Sequence, residues 1–209
     1  MKHEWRKHEK EIYLPPTKPV IIDVPEFKYF TIEGAGDPNS ANFAEYIGVL
    51  YSLSYAVKMS YKKGIEPKGY FAYTVYPLEG VWDLRPEAKK RRAGFDKKDL
   101  IYKLMIRQPD FVERDFAEQI IAITQEKKPH ALLSTIKLET IGEGKCLQML
   151  HLGSYNNEPE SFRIMEDFAM AQGLRRISRV HKEIYLNDAR KTAAEKLKTV
   201  LRFQIAAGK

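Results

Sequence analysis

The chain has 209 residues, of which 44% are hydrophobic and 30% are charged, and its formal net charge at pH 7 is +7. This composition is that of a globular protein and excludes a fibrous or disordered chain. No apolar run approaches the roughly 20 residues that cross a membrane, and the charged N-terminus lacks the apolar stretch of a secretory signal. A single cysteine, Cys146, excludes a disulfide framework. We therefore expect a soluble, cytoplasmic protein with one large domain or two fused halves.

Most of the positive charge lies in residues 85–98, which contain seven basic and two acidic residues, a local charge of +5. Pro86 and Gly94 interrupt this basic segment, and it has no apolar periodicity, so we interpret it as a solvated loop. A phosphate-contacting patch is the alternative. Because the chain has no zinc-finger spacing, no RNP-like aromatic strand and no helix-turn-helix pattern, no direct contact with nucleic acid is expected.

The first half of the chain predicts alternating strands and helices. In chain order we expect a short charged helix at 1–12, a proline-rich connector at 14–19, a strand at 27–33, a helix from about 39 to 63, and strands at 69–76 and 100–107. The long helix is expected to stop before Gly64. Its apolar residues recur at three- and four-residue steps and predict one buried face, formed by Phe43, Ile47, Leu50, Ser54, Val57 and Tyr61.

The remainder of the chain predicts an added segment and then a second run of the same elements. A helix at 110–127 and a strand at 132–140 come first. A strand at 146–152, a helix from about 158 to 173, and strands at 179–186 and 198–205 follow. On this basis we divide the chain into 1–23, 24–109, 110–144 and 145–209.

Both halves have the order strand, glycine-rich turn with asparagine, helix, strand, strand. The asparagines at the two helix starts, Asn39 and Asn157, are 118 residues apart. This recurrence favours a duplicated βαββ unit over a solenoid of short repeats. The predicted fold class is α+β, with tandem βαββ units forming an antiparallel sheet, a pseudo-two-fold axis and a central ligand groove between the helices.

The strand at 180–186 alternates in a way that suggests a functional face. His181, Glu183 and Tyr185 point to one side, and Val180, Lys182, Ile184 and Leu186 to the other. If the aliphatic side packs on a core, Glu183 and Tyr185 project together from the opposite face. A carboxylate among aromatic rings can neutralise a cation or deprotonate a water molecule. An exposed glutamate on a solvated sheet face is an equally open alternative.

The first half also has a high density of aromatic residues. Tyr51 and Tyr55 are one helical turn apart, and Phe71, Tyr73 and Trp82 lie close together in the sequence. Aromatic walls suit flat, polarisable ligands, because stacking gives contact area at little entropic cost. Core packing remains the alternative for any one of these rings.

Other chemistries lack a signature in the sequence. The five histidines are scattered without metal-ligand spacing, and there is no Walker, Rossmann or nucleophile-elbow motif. Cys146 lies within a predicted strand, where a small buried hydrophobic role is expected. No metal ion and no cofactor is therefore expected.

Several local motifs, together with the tandem plan, suggest a family. They are the turn His151-Leu152-Gly153-Ser154-Tyr155, the strand at 181–186, the tail at 187–202, and the stretches Val24-Pro25-Glu26-Phe27 and Pro77-Leu78-Glu79-Gly80-Val81-Trp82. Over residues 24–205 the sequence resembles the GyrI-like small-molecule-binding domains, which are also found fused to AraC- and MerR-type regulators. It is similar to the stand-alone branch, some members of which are cyclopropanoid cyclopropyl hydrolases.

The resemblance implies a xenobiotic-binding protein that detoxifies DNA-alkylating compounds by opening their strained cyclopropane ring. In this hypothesis Glu183 positions and activates water, and a cage holds the substrate, formed by Tyr51, Tyr55, Phe71, Tyr73, Trp82 and Tyr185. The alternative is a non-catalytic binder or effector-sensing module for flat lipophilic or cationic drugs, with Glu183 as counter-charge. Only 26 residues precede the first predicted strand, so a regulatory role would need a partner that supplies the DNA-binding domain.

Overall fold

The computed structural model describes residues 2–91, 94 and 96–208. The elements, in chain order, are α1 (Trp5–His8), α2 (Lys10–Tyr13), β1 (Val20–Ala35), α3 (Ala41–Lys58), β2 (Leu78–Leu84), α4 (Pro86–Lys89), β3 (Leu100–Gln108), α5 (Arg114–Lys127), β4 (Lys137–Leu152), α6 (Glu158–Ala171), β5 (Leu174–Arg176), β6 (His181–Tyr185) and β7 (Lys198–Ala207). The order βαββ occurs twice, as β1-α3-β2-β3 with the single turn α4 before β3, and as β4-α6-β6-β7 with the three-residue strand β5 after α6. The predicted α+β class with antiparallel strands is confirmed.

The chain forms two compact units. The first contains the described part of Met1–Glu4 with Phe27–Leu78 and Asp83–Ile141, and the second contains Trp5–Glu26, Glu79–Trp82 and Gly142–Lys209, of which the last residue is not described. The boundaries fall inside strands β1, β2 and β4, which therefore contribute residues to both units.

In the first unit, β1 and β3 pair antiparallel, with Lys28 opposite Gln108 and Ala35 opposite Ile101. Helix α3 packs on β3 and α5. A 3₁₀ turn continues α3 to Lys63, and the chain then turns at Gly64, whose φ of 72° is a left-handed conformation that favours glycine. The predicted buried face of α3 is partly right: its buried residues are Val49, Leu50, Leu53, Ser54 and Val57.

In the second unit, β7 is the central strand. It pairs antiparallel with β4 along one edge and with β6 and β5 along the other, and β2 is the next neighbour of β6. Helix α6 covers this sheet because its apolar residues recur at helical spacing. The resulting core consists of Leu147, Met149, Met165, Ala169, Leu201, Phe203 and Ile205.

Four predicted elements differ in the structure. Residues 69–76 do not form a strand, and their β-pairing is limited to one bridge between His3 and Tyr73. Gly69 has φ of 84°, a left-handed conformation that is incompatible with a strand. The aromatic rings of this segment pack against Phe111. The strands predicted at 132–140 and 146–152 are the single strand β4, preceded by a 3₁₀ turn at Ala131–Thr135. The N-terminal helix is two single turns, α1 and α2.

The basic segment at 85–98 contains the single turn α4 and a 3₁₀ turn at Lys97–Asp99. Part of its charge is neutralised within the first unit, since Arg91 makes a two-pronged ion pair with Asp99 and Lys89 contacts Asp83. Arg92, one of the seven basic residues, lies outside the described residues. Within the part of the chain that is described, none of the helices has the length and apolarity needed to cross a membrane.

Candidate functional site

Strand β6 places Glu183 in the second unit, opposite Leu201 of β7. Alternation along β6 puts His181, Glu183 and Tyr185 on one face, as the sequence predicts. Glu183 is only 9% exposed. This excludes the alternative of an exposed glutamate on a solvated sheet face.

Three of the predicted site residues form one hydrogen-bonded chain. The Trp82 indole Nε1 donates to the Tyr185 hydroxyl at 2.9 Å, and that hydroxyl donates to Glu183 Oε2 at 2.7 Å. The direction is fixed because an indole N–H can only donate and an ionised carboxylate can only accept. Burial, followed by the neighbouring Glu183 charge, raises the pKa of Tyr185 well above its ordinary value. Tyr185 is therefore a neutral donor that holds one oxygen of the carboxylate.

Glu158, the first residue of α6, is a member of the site that the sequence analysis missed. It is buried, and burial together with the charge of Glu183 and a hydrogen bond to it raises the pKa of Glu158 to about 10. Two carboxyl groups in contact inside a protein cannot both ionise at neutral pH. At neutral pH Glu158 is therefore the protonated member of the pair, and it can act as a donor towards Glu183.

The sequence contained only a weak signal for Glu158. An acidic residue in the first turn of a helix is common, because it complements the helix dipole, and Pro159 beside it marks an ordinary helix start. The one sequence feature that could have indicated a site role for Glu158 is its position three residues after Tyr155, which ends the family's turn at 151–155. That turn leads into α6 and brings the first helical residue beside Glu183 of β6.

The turn itself is fixed by His151. Its Nε2 lies 3.0 Å from the Ser154 carbonyl oxygen, and its Nδ1 lies 2.9 Å from the Ser161 hydroxyl on α6. Gly153 adopts φ of 116°, which a residue with a side chain rarely adopts. As a result Tyr155 lies edge-on to Tyr185, with ring centroids 6.0 Å apart.

Tyr155 borders the carboxyl pair and remains 37% exposed. Burial, and then the charges of Glu183 and Glu158, raise its pKa to about 12. It is therefore a neutral phenol that presents an aromatic surface beside the carboxyl groups. The sequence analysis used Tyr155 only as part of the family motif and did not include it among the ligand-binding residues.

His181 contacts the second oxygen of Glu183. Its Nε2 lies 3.1 Å from Glu183 Oε1, and its Nδ1 lies 3.2 Å from the Arg179 carbonyl oxygen. The ring packs edge-on against Phe162 at 4.7 Å. A neutral imidazole can donate to only one of these two acceptors, whereas an imidazolium donates to both.

The opposite face of β6 contains Lys182, as the alternation predicts, but the structure buries this lysine in an ion network that the sequence analysis did not predict. Lys182 is 3% exposed and forms ion pairs of 2.9 Å with both Glu79 and Glu143. Glu143 also accepts from Arg202, which in turn donates to Gln148. Burial alone would lower the pKa of Lys182, but the two carboxylates outweigh it and raise the pKa. This network keeps Lys182 charged beneath the strand that presents Glu183.

The other four predicted ligand-binding residues lie in the first unit. Tyr51 and Tyr55 form one ring pair on α3, with centroids 6.4 Å apart, and Tyr55 is half exposed. Phe71 and Tyr73 form a second pair at 6.3 Å. Tyr73 is fully buried, and its hydroxyl lies 3.5 Å from the Ser54 carbonyl oxygen. Their role in ligand binding stays a prediction.

Solved structures with high similarity come from Listeria innocua. A protein described as a hydrolase is 34% identical, with a TM-score of 0.89 over 98% of this chain and 100% of that one. A second, described as an uncharacterized conserved protein, is 35% identical, with a TM-score of 0.88 over 98% of this chain and 100% of its own. The EcmrR C-terminal domain is 12% identical, with a TM-score of 0.53 over 94% of this chain and 99% of that one, and shares the fold.

No curated protein matches the chain. The sequence family described as GyrI-like small molecule binding domain matches residues 17–206. That range includes β6, the turn at Gly153 and both residues of the carboxyl pair. The chain belongs to the GyrI-like family of small-molecule-binding domains.

Proposed function

We propose that the protein is a hydrolase that opens the strained cyclopropane ring of flat, DNA-alkylating aromatic compounds, with Glu183 as the general base. One observation supports this most strongly: a buried glutamate is held by the Trp82–Tyr185 hydrogen-bond chain beside the aromatic surface of Tyr155. The 34% identity to a Listeria innocua protein described as a hydrolase also supports an enzymatic role.

The hydrogen bonds of Glu183 leave one acceptor position of its carboxylate for a water molecule. An ionised carboxylate offers about four lone-pair positions. Among the described residues, Tyr185, His181 and Glu158 occupy three of them. The remaining position can accept a hydrogen bond from a nucleophilic water, and the fixed orientation of the carboxylate favours attack in one direction.

The reaction needs only one base because the ring is strained. The water oxygen bonds to a cyclopropane carbon as the adjacent carbon–carbon bond breaks, and the electron pair of that bond passes to the conjugated acceptor group of the substrate. Glu183 takes the proton of the water and returns it to that acceptor group or to solvent. The product is the substrate plus one water.

The test is the turnover of a cyclopropane-bearing aromatic alkylator, followed by mass spectrometry. We expect a product heavier by one water with the natural protein and none above background with Glu183→Gln. The matched control is Glu160→Gln, which changes an exposed glutamate on α6 and is expected to leave turnover unchanged. Absence of product with folded natural protein would refute the enzymatic function.

Non-catalytic binding is the second candidate, favoured by the single negative charge that the carboxyl pair retains among aromatic rings. A cation stacked on such rings gains from both the charge and the ring faces. In this case a lipophilic cationic dye binds stoichiometrically without chemical change. Glu183→Gln then weakens the binding of this dye much more than the binding of a neutral dye of the same shape. Equal weakening of both dyes would exclude Glu183 as a counter-charge.

A further inference from the structure

One polar atom of the site has no role in the hydrogen bonds described above. Glu158 is 7% exposed, and its Oε1 has no hydrogen-bond partner among the described residues. The same carboxyl group lies beside Glu183, whose charge and hydrogen bonding contribute to its raised pKa. A buried acceptor without a partner costs free energy, so such an atom commonly marks a place where a ligand binds.

We infer that Glu158 acts as a neutral carboxylic acid that donates to Glu183 and accepts, through Oε1, a hydrogen bond from the attacking water. The inference rests on the proposed hydrolytic function. The two hydrogens of one water molecule would then be received by Glu183 and by Glu158 Oε1. Because both hydrogens are directed at the protein, a lone pair of the water oxygen faces the substrate.

The surroundings of Glu158 keep it protonated through the neutral pH range. The titratable groups that face Glu158 are Glu183, Tyr185 and His181 on β6 and Tyr155 on the turn that precedes α6. With a pKa of about 10, Glu158 ionises before Tyr155, whose pKa is about 12. Ionisation of Glu158 removes the hydrogen bond to Glu183 and places two negative charges in contact.

Two substitutions separate this role from proton donation to the substrate. Glu158→Gln keeps a donor for Glu183 and a carbonyl oxygen for the water but cannot transfer a proton. We expect it to retain turnover within about threefold. Glu158→Met has a similar length and offers neither group, so we expect a loss of roughly 10- to 100-fold in kcat, since one hydrogen bond to a charged partner contributes about that factor. Glu160→Gln is the control for a neutral change on the same helix.

The pH profile gives a second measurement that a merely structural role would not change. We expect the turnover of the natural protein to fall towards pH 10 as Glu158 ionises, and the Glu158→Gln profile to lack this decrease. If the natural protein is active and Glu158→Gln is as inactive as Glu183→Gln, then Glu158 transfers a proton and the inference is wrong. If Glu158→Met retains full turnover, Glu158 does not hold the water. Inactivity of the natural protein instead refutes the proposed function itself.

Discussion

Replacing Glu158 with glutamine should stabilise the protein, and by an amount that increases with pH. In the native state the carboxyl pair retains a proton that the unfolded chain releases above the ordinary glutamate pKa of 4.5. Folding therefore takes up a proton, and the free energy of unfolding decreases as pH rises between 4.5 and the native value of about 10. A glutamine is neutral in both states and lacks this dependence.

The magnitude follows from the linkage relation. One proton difference corresponds to about 1.4 kcal/mol per pH unit. Between pH 6 and pH 8 the free energy of unfolding of the natural protein should fall by about 2.7 kcal/mol relative to that of Glu158→Gln. Glu158 is 7% exposed, so solvent screening does not reduce this value appreciably.

The assay is urea unfolding of both proteins at pH 6, 7 and 8, followed by tryptophan fluorescence. The control Glu160→Gln alters an exposed side chain and should stay within about 0.5 kcal/mol of the natural protein at each pH. A difference between Glu158→Gln and the natural protein that does not change with pH would refute the reasoning, because it would mean that Glu158 is ionised in the native state.

Two further substitutions test the groups that hold β6 and Glu183. Tyr185→Phe removes the donor to the carboxylate and leaves the Trp82 indole N–H without this acceptor, so we expect a loss of about 1–3 kcal/mol in unfolding free energy and reduced turnover. Lys182→Met leaves Glu143 with one cation fewer in a buried network. It should lower the free energy of unfolding, measured with urea, by about 3–5 kcal/mol. Lys198→Met, at an exposed position, should be nearly neutral.

The sequence predicted the part of the site that depends on local alternation. Period-two alternation on β6 correctly placed Glu183 and Tyr185 on one face, because a strand determines side-chain direction by itself. It could not predict Lys182 in a buried ion network, because its partners Glu79 and Glu143 are distant in the sequence. Only the sheet brings them together.

The error at residues 69–76 has a related cause. Aromatic and β-branched residues are frequent in strands because they fit a half-buried pleated surface, not because of a backbone preference. Here Phe71 and Tyr73 pack their rings against Phe111, and the backbone pairing of the segment is limited to the single bridge between Tyr73 and His3. The strand β2 lies further along, at Leu78–Leu84, where Glu79 and Gly80 have low strand propensity and tertiary pairing determines the conformation.

The protonation of Glu158 could not be predicted from the sequence, because two opposing effects meet at the start of α6. The helix N-terminus favours a carboxylate by about 0.3–1 kcal/mol. Removing a carboxylate from water costs several kcal/mol, and the adjacent Glu183 charge adds to that cost. Burial is therefore the larger effect, and a position where helices commonly hold an anion instead holds a neutral acid. This proton uptake on folding is destabilising, but it supplies Glu183 with a neutral donor in addition to Tyr185. Because Glu158→Gln keeps a donor and needs no proton uptake, it is expected to increase stability while retaining turnover within about threefold.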